Sequence, residues 1–150
     1  MDIKSPEERS RNMAKIRNTR TKPEMFIRSL LHRQGLRYRV NYSKCPGKPD
    51  LYFPARKIAV FVHGCYWHRH PGCKFAYTPK SNLEFWLPKL EGNRKHDELI
   101  TQKLHDQGIR VLIIWECTVK QMTKDKDICK TVLNTVLDFI RNGKNMKMEL

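Results

Sequence analysis

Two apolar segments of the sequence constrain the fold more than any other feature. Residues 58–62 and residues 110–115 are almost uninterrupted runs of aliphatic and aromatic side chains. A strand that alternates apolar and polar residues leaves one face to solvent, whereas a continuous apolar strand is buried on both faces. We therefore predict an α/β fold, in which these strands lie in a mixed central sheet flanked by helices.

Capping residues and glycines mark the ends of the predicted helices. Thr21-Lys22-Pro23-Glu24 is a capping box with a proline near the helix start, and Gly35 ends this helix. A second capping box at residues 81–84 opens a long helix that Gly108 ends. Residues 125–142 carry their apolar side chains on one face and are predicted to form a further helix.

The other segments complete a predicted order of α-β-β-β-α-β-α. Residues 36–42 alternate like a strand with one exposed face, and residues 50–53 form a short strand after a turn. Residues 63–80 are rich in Cys, His, Gly and Pro and are predicted to be irregular. We expect one domain that spans the chain, with a basic arm at residues 1–20 and a core at residues 21–142.

The chain carries a large excess of positive charge. It has 30 Lys and Arg residues and 15 Asp and Glu residues, a formal charge of +15 and a pI near 9.9. This balance favours a nucleic acid partner over an anionic membrane or a surface that is basic only for solubility. The first residues lack the apolar core of a signal peptide, and no apolar run is long enough to span a membrane. We expect a cytoplasmic protein that associates with the nucleoid.

Cysteines and histidines are concentrated in residues 63–73. In a cytoplasmic protein, cysteines are expected to be metal ligands or buried thiols rather than disulfides. Cys65, His70 and Cys73 have the spacing C-x4-H-x2-C, and such a set suits a tetrahedral structural zinc site. The alternative is a set of buried, unligated thiols. Zinc is favoured because a long irregular segment needs something to order it.

A fourth zinc ligand must come from outside this spacing. Cys117 is the best candidate because it follows the apolar strand that ends at Trp115. If that strand neighbours the one that ends at Val62, the two strand ends converge. His68 and His63 remain competing ligands.

Asp50 follows Pro49 at the start of a predicted strand. This pair resembles the Pro-Asp element of restriction-endonuclease-like nucleases, in which the carboxylate holds magnesium beside the scissile phosphate, although Pro-Asp is also a common turn. The Glu-x-Lys element that usually follows one strand later is absent, and Val62-His63-Gly64 occupies its place. A histidine can replace the lysine as general base, since its ordinary pKa is about 6.5.

Five short segments together resemble the very-short-patch-repair (Vsr-type) DNA mismatch endonucleases. They are Arg9-Ser10-Arg11-Asn12-Met13, Pro46-Gly47-Lys48-Pro49-Asp50, His63-Gly64-Cys65-Tyr66-Trp67-His68, Glu84-Phe85-Trp86-Leu87 and Trp115-Glu116-Cys117. Their order along the chain is that of the family. The resemblance implies a restriction-endonuclease-like hydrolase that recognises a T:G mismatch and nicks the thymine strand on its 5′ side.

The resemblance also implies roles for the residues of the catalytic site. Asp50 is expected to bind two magnesium ions, and the carbonyl of Val62, where the family often has threonine, is expected to complete one coordination sphere. His68 is expected to activate water, and His63 to stabilise or protonate groups near the phosphate. Two acidic residues are expected to support metal-bound water and to orient a catalytic histidine; they are Glu24 and Asp97. Alternatively, Glu24 only caps its helix, Asp97 is a solvated helix residue, and His63 is the base.

In the family pattern the zinc ligands are Cys65, His70, Cys73 and Cys117. This chain has one additional residue between His70 and Cys73. Cys45 and Cys129 match no role.

Large aromatic side chains are expected to read the mismatch. Tyr66, where the family usually has phenylalanine, Trp67 and Trp86 match residues that wedge into the base stack, although any of them could be a core residue. Met13 matches a residue that enters from the minor groove. Unstacking costs a few kcal/mol, and a mismatched step is less costly to open.

The sequence therefore predicts a zinc-stabilised, magnesium-dependent endonuclease that acts on double-stranded DNA with a T:G mismatch. We expect a monomer, with other mismatch-repair proteins as further candidate partners. Two alternatives are a broader strand-nicking or restriction-like endonuclease and a non-catalytic, zinc-ordered DNA-binding module.

Overall fold

A five-stranded mixed sheet forms the centre of residues 21–150, the part of the chain that the computed structural model describes. The strands lie in the order β1 to β5, and they are β1 (Arg39–Val40), β2 (Leu51–Phe53), β3 (Ile58–His63), β4 (Arg110–Trp115) and β5 (Lys147–Glu149). The pairs β1–β2 and β2–β3 are antiparallel, whereas the pairs β3–β4 and β4–β5 are parallel. The predicted mixed α/β class is confirmed.

Four helices in this part of the chain pack around the sheet. They are α1 (Lys22–Arg33), α2 (Leu83–Asp106), α3 (Glu116–Lys124) and α4 (Lys126–Arg141). None of them is both long and apolar enough to cross a membrane. The predicted basic arm and Met13 lie outside the described residues.

The two apolar strands are buried on both faces, as their composition predicts. Ile58 and Val60 of β3 pack in one core cluster with side chains of α1, α3 and α4. Ala59 and Phe61, which alternate with them, pack in a second cluster with Leu104 of α2. The central strands therefore lie between two apolar cores, and the residues that follow them at the strand ends are the ones that can meet solvent.

The parallel pairing of β3 and β4 brings the two strand ends together. Val62 lies opposite Ile114 and His63 lies opposite Trp115. The sequence predicted that these strand ends converge if the two strands are neighbours, and this prediction is confirmed. The irregular segment after β3 and the start of α3 after β4 consequently leave the same edge of the sheet.

Of the two predicted helix caps, the threonine cap forms and the serine cap does not. Thr21 Oγ1 accepts a hydrogen bond from the Glu24 N–H at 3.4 Å, and α1 begins there as predicted. The prediction of a capping box at residues 81–84 is wrong. The N-cap of α2 is Asn82, which has a φ of 52° and makes no side-chain capping bond. Gly108 follows the end of α2 with φ of +72°, as its role of helix terminator requires.

The sheet and the helices also differ from the predicted order at three places. The strand predicted at residues 36–42 shortens to Arg39–Val40, because only those residues pair with β2. Helix α3 was not predicted, since its nine residues directly follow a strand without a capping side chain. Strand β5 was not predicted either, because its three residues are mostly charged; it extends the sheet beyond the core predicted to end at residue 142.

Candidate active site and metal centre

A cleft of about 300 Å³ opens beside the end of β3. The residues predicted to be catalytic that line it are Asp50, Val62, His63, His68 and Asp97. Asp50 precedes β2, the two histidines belong to β3 and the segment after it, and Asp97 projects from α2. Sheet pairing and the packing of α2 thus gather residues that are far apart in sequence.

Asp50 lies in a buried acidic environment. One carboxylate oxygen, Oδ2, accepts a hydrogen bond from the Val62 N–H at 2.7 Å. Burial, followed by the hydrogen bond with Glu24, raises the pKa of Asp50 to about 8. Two neighbouring carboxyl groups in one desolvated site suit a hard cation with oxygen ligands, so Asp50 and Glu24 fit magnesium.

Arg28 partly balances this acidic pair. Its Nη2 lies 2.6 Å from Glu24 Oε2, one helical turn along α1, and both side chains are largely buried. The charge of Arg28 opposes the rise in the pKa of Asp50. Sequence reasoning missed Arg28, although its position four residues after Glu24 is the spacing of a helical ion pair.

His68 and Asp97 form the shortest polar contact of the cleft. His68 Nδ1 lies 2.6 Å from Asp97 Oδ2, and the carboxylate accepts this hydrogen bond. The contact fixes the ring and leaves Nε2 as its other nitrogen. The side chain of His68 is 32% exposed, so it can meet water.

His63 lies beneath His68. The two rings stack with centroids 3.9 Å apart and planes inclined by 4°. His63 is only 7% exposed, and within residues 21–150 its buried Nδ1 has no hydrogen-bond partner. Burial, and then the positive charge that His68 can carry, lower the pKa of His63 to about 3. A neutral His63 therefore supports the more accessible His68 from below.

The four predicted zinc ligands come together at the strand ends. They are Cys65, His70, Cys73 and Cys117. Each offers one ligand atom, and these four atoms all lie within 4.8 Å of one another. Cys117 Sγ lies 3.5 Å from His70 Nδ1, and the Cys117 N–H lies 3.4 Å from Cys65 Sγ. Tetrahedral zinc with bonds of about 2.3 Å to sulfur separates its donors by just under 4 Å. The donor set and its spacing fit zinc.

The environment of these ligands also suits a cation. Burial raises the pKa of the Cys65 thiol to about 12, which a bound cation would reverse. Burial lowers the pKa of His70, which keeps its imidazole neutral and able to ligate. The His70 ring stacks on Trp115 at 4.2 Å, which holds the ligand in place.

The alternative zinc ligands His63 and His68 form a separate group. Their ligand atoms and that of Asp97 lie within 4.8 Å of one another. The segment after β3 therefore contributes to two clusters, one rich in thiols and one of imidazole and carboxylate.

Five aromatic rings form a continuous surface next to these clusters, here called the aromatic surface. Its members are Tyr66, Trp67, Tyr77, Phe85 and Trp86. The predicted wedge residues Tyr66, Trp67 and Trp86 are half-buried, so they are not the core residues of the alternative interpretation. Tyr77 and Phe85 were not predicted, although Phe85 precedes Trp86 directly and both are exposed despite their size.

Comparisons with known proteins identify relatives of this chain. A family model described as DNA mismatch endonuclease Vsr matches residues 1–74. The type II nicking enzyme V.XorIIP of Xanthomonas oryzae is 43% identical over 121 residues, which cover 81% of this chain and 88% of that enzyme. The type II nicking enzyme V.NmeAIP of Neisseria meningitidis is 39% identical over 142 residues, which cover 95% and 98%. The DNA mismatch endonuclease Vsr of Escherichia coli is 37% identical over 126 residues, which cover 84% and 80%.

These similarities place the chain in the class of DNA endonucleases. Within that class it belongs to the DNA mismatch endonuclease Vsr family. The predicted family resemblance is confirmed, and the relatives are named as endonucleases and not as DNA-binding modules without catalytic activity.

Proposed function

We propose that this endonuclease nicks the thymine strand of a T:G mismatched duplex, on the 5′ side of the thymine, by magnesium-dependent hydrolysis. One observation carries the proposal: the hydrogen-bonded pair of His68 and Asp97 lines the same cleft as the buried carboxyl group of Asp50. A water activated by His68 and a phosphate held near Asp50 would meet in that cleft.

His68 is the general base of the proposed reaction. Its Nε2 accepts a proton from water, and the water oxygen adds to phosphorus as the bond to one bridging oxygen breaks. Asp97 fixes the ring and stabilises the positive charge that His68 acquires. His63 is much less exposed than His68, so we assign it a supporting role beneath the base.

Asp50 and the carbonyl of Val62 are the proposed magnesium ligands, and Glu24 supports water bound there. Magnesium bound there would stabilise the charge that develops on the phosphate and on the leaving oxygen. The interaction of the Glu24 carboxyl group with that of Asp50 supports its inclusion in this proposed site. The hydrogen bond from the Val62 N–H to Asp50 connects the two proposed ligands.

Zinc is proposed to stabilise the fold and not to take part in the chemistry. Cys65, His70, Cys73 and Cys117 supply four donors, so a bound zinc has no open position for water. The ion would connect the irregular segment after β3 to the first turn of α3.

The mismatch preference is proposed from the aromatic surface and the family. The relative from Escherichia coli is named as a mismatch endonuclease, and the other two as nicking enzymes. Ring insertion selects a base step that opens at low cost, and T:G is such a step. We further propose a restriction-endonuclease-like single domain that acts as a monomer at the nucleoid in the cytoplasm, with residues 1–20, including Met13, clamping the duplex.

A nicking assay with labelled strands tests this function. The protein, with magnesium, is incubated with duplexes that differ only in one pair: T:G, T:A or another mispair. We expect nicks only in the thymine strand of the T:G duplex, and none with the Asp50→Ala variant. Equal nicking of matched and mismatched duplexes would favour the broader strand-nicking enzyme, and other mispairs cut as well as T:G would remove the thymine specificity.

A further inference from the structure

The aromatic surface extends at both ends beyond the three residues that the family pattern identifies. Tyr77 contacts Tyr66 with ring centroids 4.9 Å apart, and Phe85 contacts Trp86 at 5.0 Å. Trp67 connects the two halves, at 5.0 Å from Tyr66 and 6.1 Å from Trp86. The terminal rings therefore belong to the same surface as the proposed wedge.

The two terminal rings are the most exposed of the surface. Tyr77 is 62% exposed and Phe85 is 59% exposed, whereas the three other rings are half-buried. Large exposed aromatic side chains that contact one another on a protein surface are typical of an interaction site. The two most exposed side chains of the surface are thus residues to which the proposed function assigns no role.

Hydrogen bonds hold both ends in place. Arg69 donates to the carbonyl oxygens of Tyr66 and Tyr77, at 3.3 and 3.1 Å, and lies over the Tyr66 ring. Phe85 lies in the first turn of α2, and its N–H donates to the carbonyl oxygen of Asn82 at 3.0 Å. Rings on such fixed backbone lose little conformational freedom when a ligand stacks on them.

The charge around the surface identifies its ligand. Lys89 Nζ lies over the rings of Phe85 and Trp86, at 5.6 and 5.4 Å from their centroids. Arg69 supplies a second cation at the other end, on a chain with a formal charge of +15. Flat apolar faces beside cations match nucleotides, whose bases stack while their phosphates meet the positive charge.

We propose that Tyr77 and Phe85 are base-contacting residues, whose exposed rings stack on bases that Trp67 and Trp86 separate at the mismatch. This inference rests on the proposed function, because it requires a DNA duplex opened at a weak pair. It makes the wedge the centre of a wider surface that holds the unstacked bases on either side. The terminal rings then contribute to mismatch preference as well as to affinity.

Binding measurements without added magnesium test Phe85, since no strand is cut there. We expect Phe85→Ala to weaken binding to the T:G duplex by about tenfold, and binding to the T:A duplex much less, because loss of one stacking ring weakens binding by roughly that factor or more. Leu99→Ala is the matched control, since Leu99 is 51% exposed on the same helix and makes no part of the surface. It should bind both duplexes like the wild type.

Further variants separate the ring from other effects. Phe85→Leu keeps an apolar helix residue but removes the ring, and it should bind like Phe85→Ala. Tyr77→Ala should weaken T:G binding, whereas Tyr77→Phe should bind like the wild type because the ring is retained. Melting temperatures of all these variants should equal that of the wild type.

Two results would overturn the inference. Binding by Phe85→Ala and Tyr77→Ala equal to that of Leu99→Ala would show that the terminal rings meet no DNA, as expected if a protein partner covers them. An equal loss of affinity for the T:G and T:A duplexes would show that these rings contact DNA without regard to whether a base step is opened. The wild type is measured first. A wild type that binds T:G and T:A duplexes equally would contradict the proposed function itself, whereas the two results above concern only the terminal rings.

Discussion

The candidate active-site cleft and the cluster of proposed zinc ligands share one segment of chain but differ in what they require of it. The cleft keeps His68 accessible to water, and its Asp50 lies beside the buried carboxyl group of Glu24, an arrangement that burial makes unfavourable. The cluster draws its ligands together from the segment after β3 and from the start of α3. The difference indicates that catalysis and the stability of the fold depend on neighbouring but separate residues. Single substitutions should therefore affect one property without the other.

Replacing the proposed base should have the largest effect on activity. We expect His68→Ala to slow nicking by about 10²- to 10⁴-fold, the usual contribution of a general base, with little change in thermal stability because the ring is partly exposed. Single-turnover nicking of the T:G duplex measures this. His96→Ala is the control, since His96 is an exposed histidine of the same cleft; similar rates for both variants would remove His68 from its role.

Replacing one of the proposed zinc ligands should have the largest effect on stability. Cys117→Ser is expected to lower the free energy of unfolding by roughly 3–5 kcal/mol, since metal-ligand loss is among the most destabilising changes. Urea unfolding with a parallel zinc determination measures this. Cys129→Ser, which alters a partly buried cysteine of the other core, should keep its zinc and lose much less stability. Full zinc content in Cys117→Ser would contradict the assignment.

Removing the carboxyl group of Asp50 should separate activity from stability. Asp50→Asn is expected to abolish nicking but to stabilise the magnesium-free protein by about 1–2 kcal/mol. An amide can still accept the hydrogen bond from the Val62 N–H, and it can donate to Glu24. Melting curves of zinc-loaded protein without added magnesium measure the effect. A variant with a lower melting temperature than the wild type would show that the buried acidic pair does not destabilise the fold.

The same substitution should alter the dependence of stability on pH. The pKa of Asp50 in the folded protein, about 8, lies above its ordinary value of 3.8. The unfolded chain therefore releases this proton first, and the contribution of Asp50 to stability is full below pH 4 and declines as the pH rises to 8. Melting temperatures between those values should fall more steeply in the wild type than in Asp50→Asn. Parallel curves would contradict the raised pKa.

The smallest expected effect concerns the helix that carries Glu24. Thr21→Ala removes the capping bond to the Glu24 N–H and should lower the free energy of unfolding by about 1 kcal/mol. Thr21→Ser, which keeps the hydroxyl group, should behave like the wild type. Because the helix also packs through Ile27 and Leu31, nicking at low temperature should be nearly unchanged in both variants.

Local patterns in the sequence were enough to predict most of the elements. The continuous apolar runs predicted β3 and β4, because a strand buried on both faces needs no polar alternation. The apolar face of residues 125–142 predicted α4, and the threonine cap predicted the start of α1. The short strand β5 has no such sequence pattern. It is a strand because it pairs with β4, which local sequence does not reveal.

The sequence by itself also determined the types of the reactive groups: the thiols and imidazoles after β3, the carboxyl group of Asp50 and the excess of positive charge. Only the tertiary structure decided which of them meet. The parallel register of β3 and β4 brings Cys117 to His70, and the packing of α2 brings Asp97 to His68. Stacking of His63 on His68, the ion pair of Arg28 with Glu24 and the exposed ends of the aromatic surface also arise there. The physical reason is that ligand spacing within a segment is local, whereas distances between segments are set by how helices and strands pack.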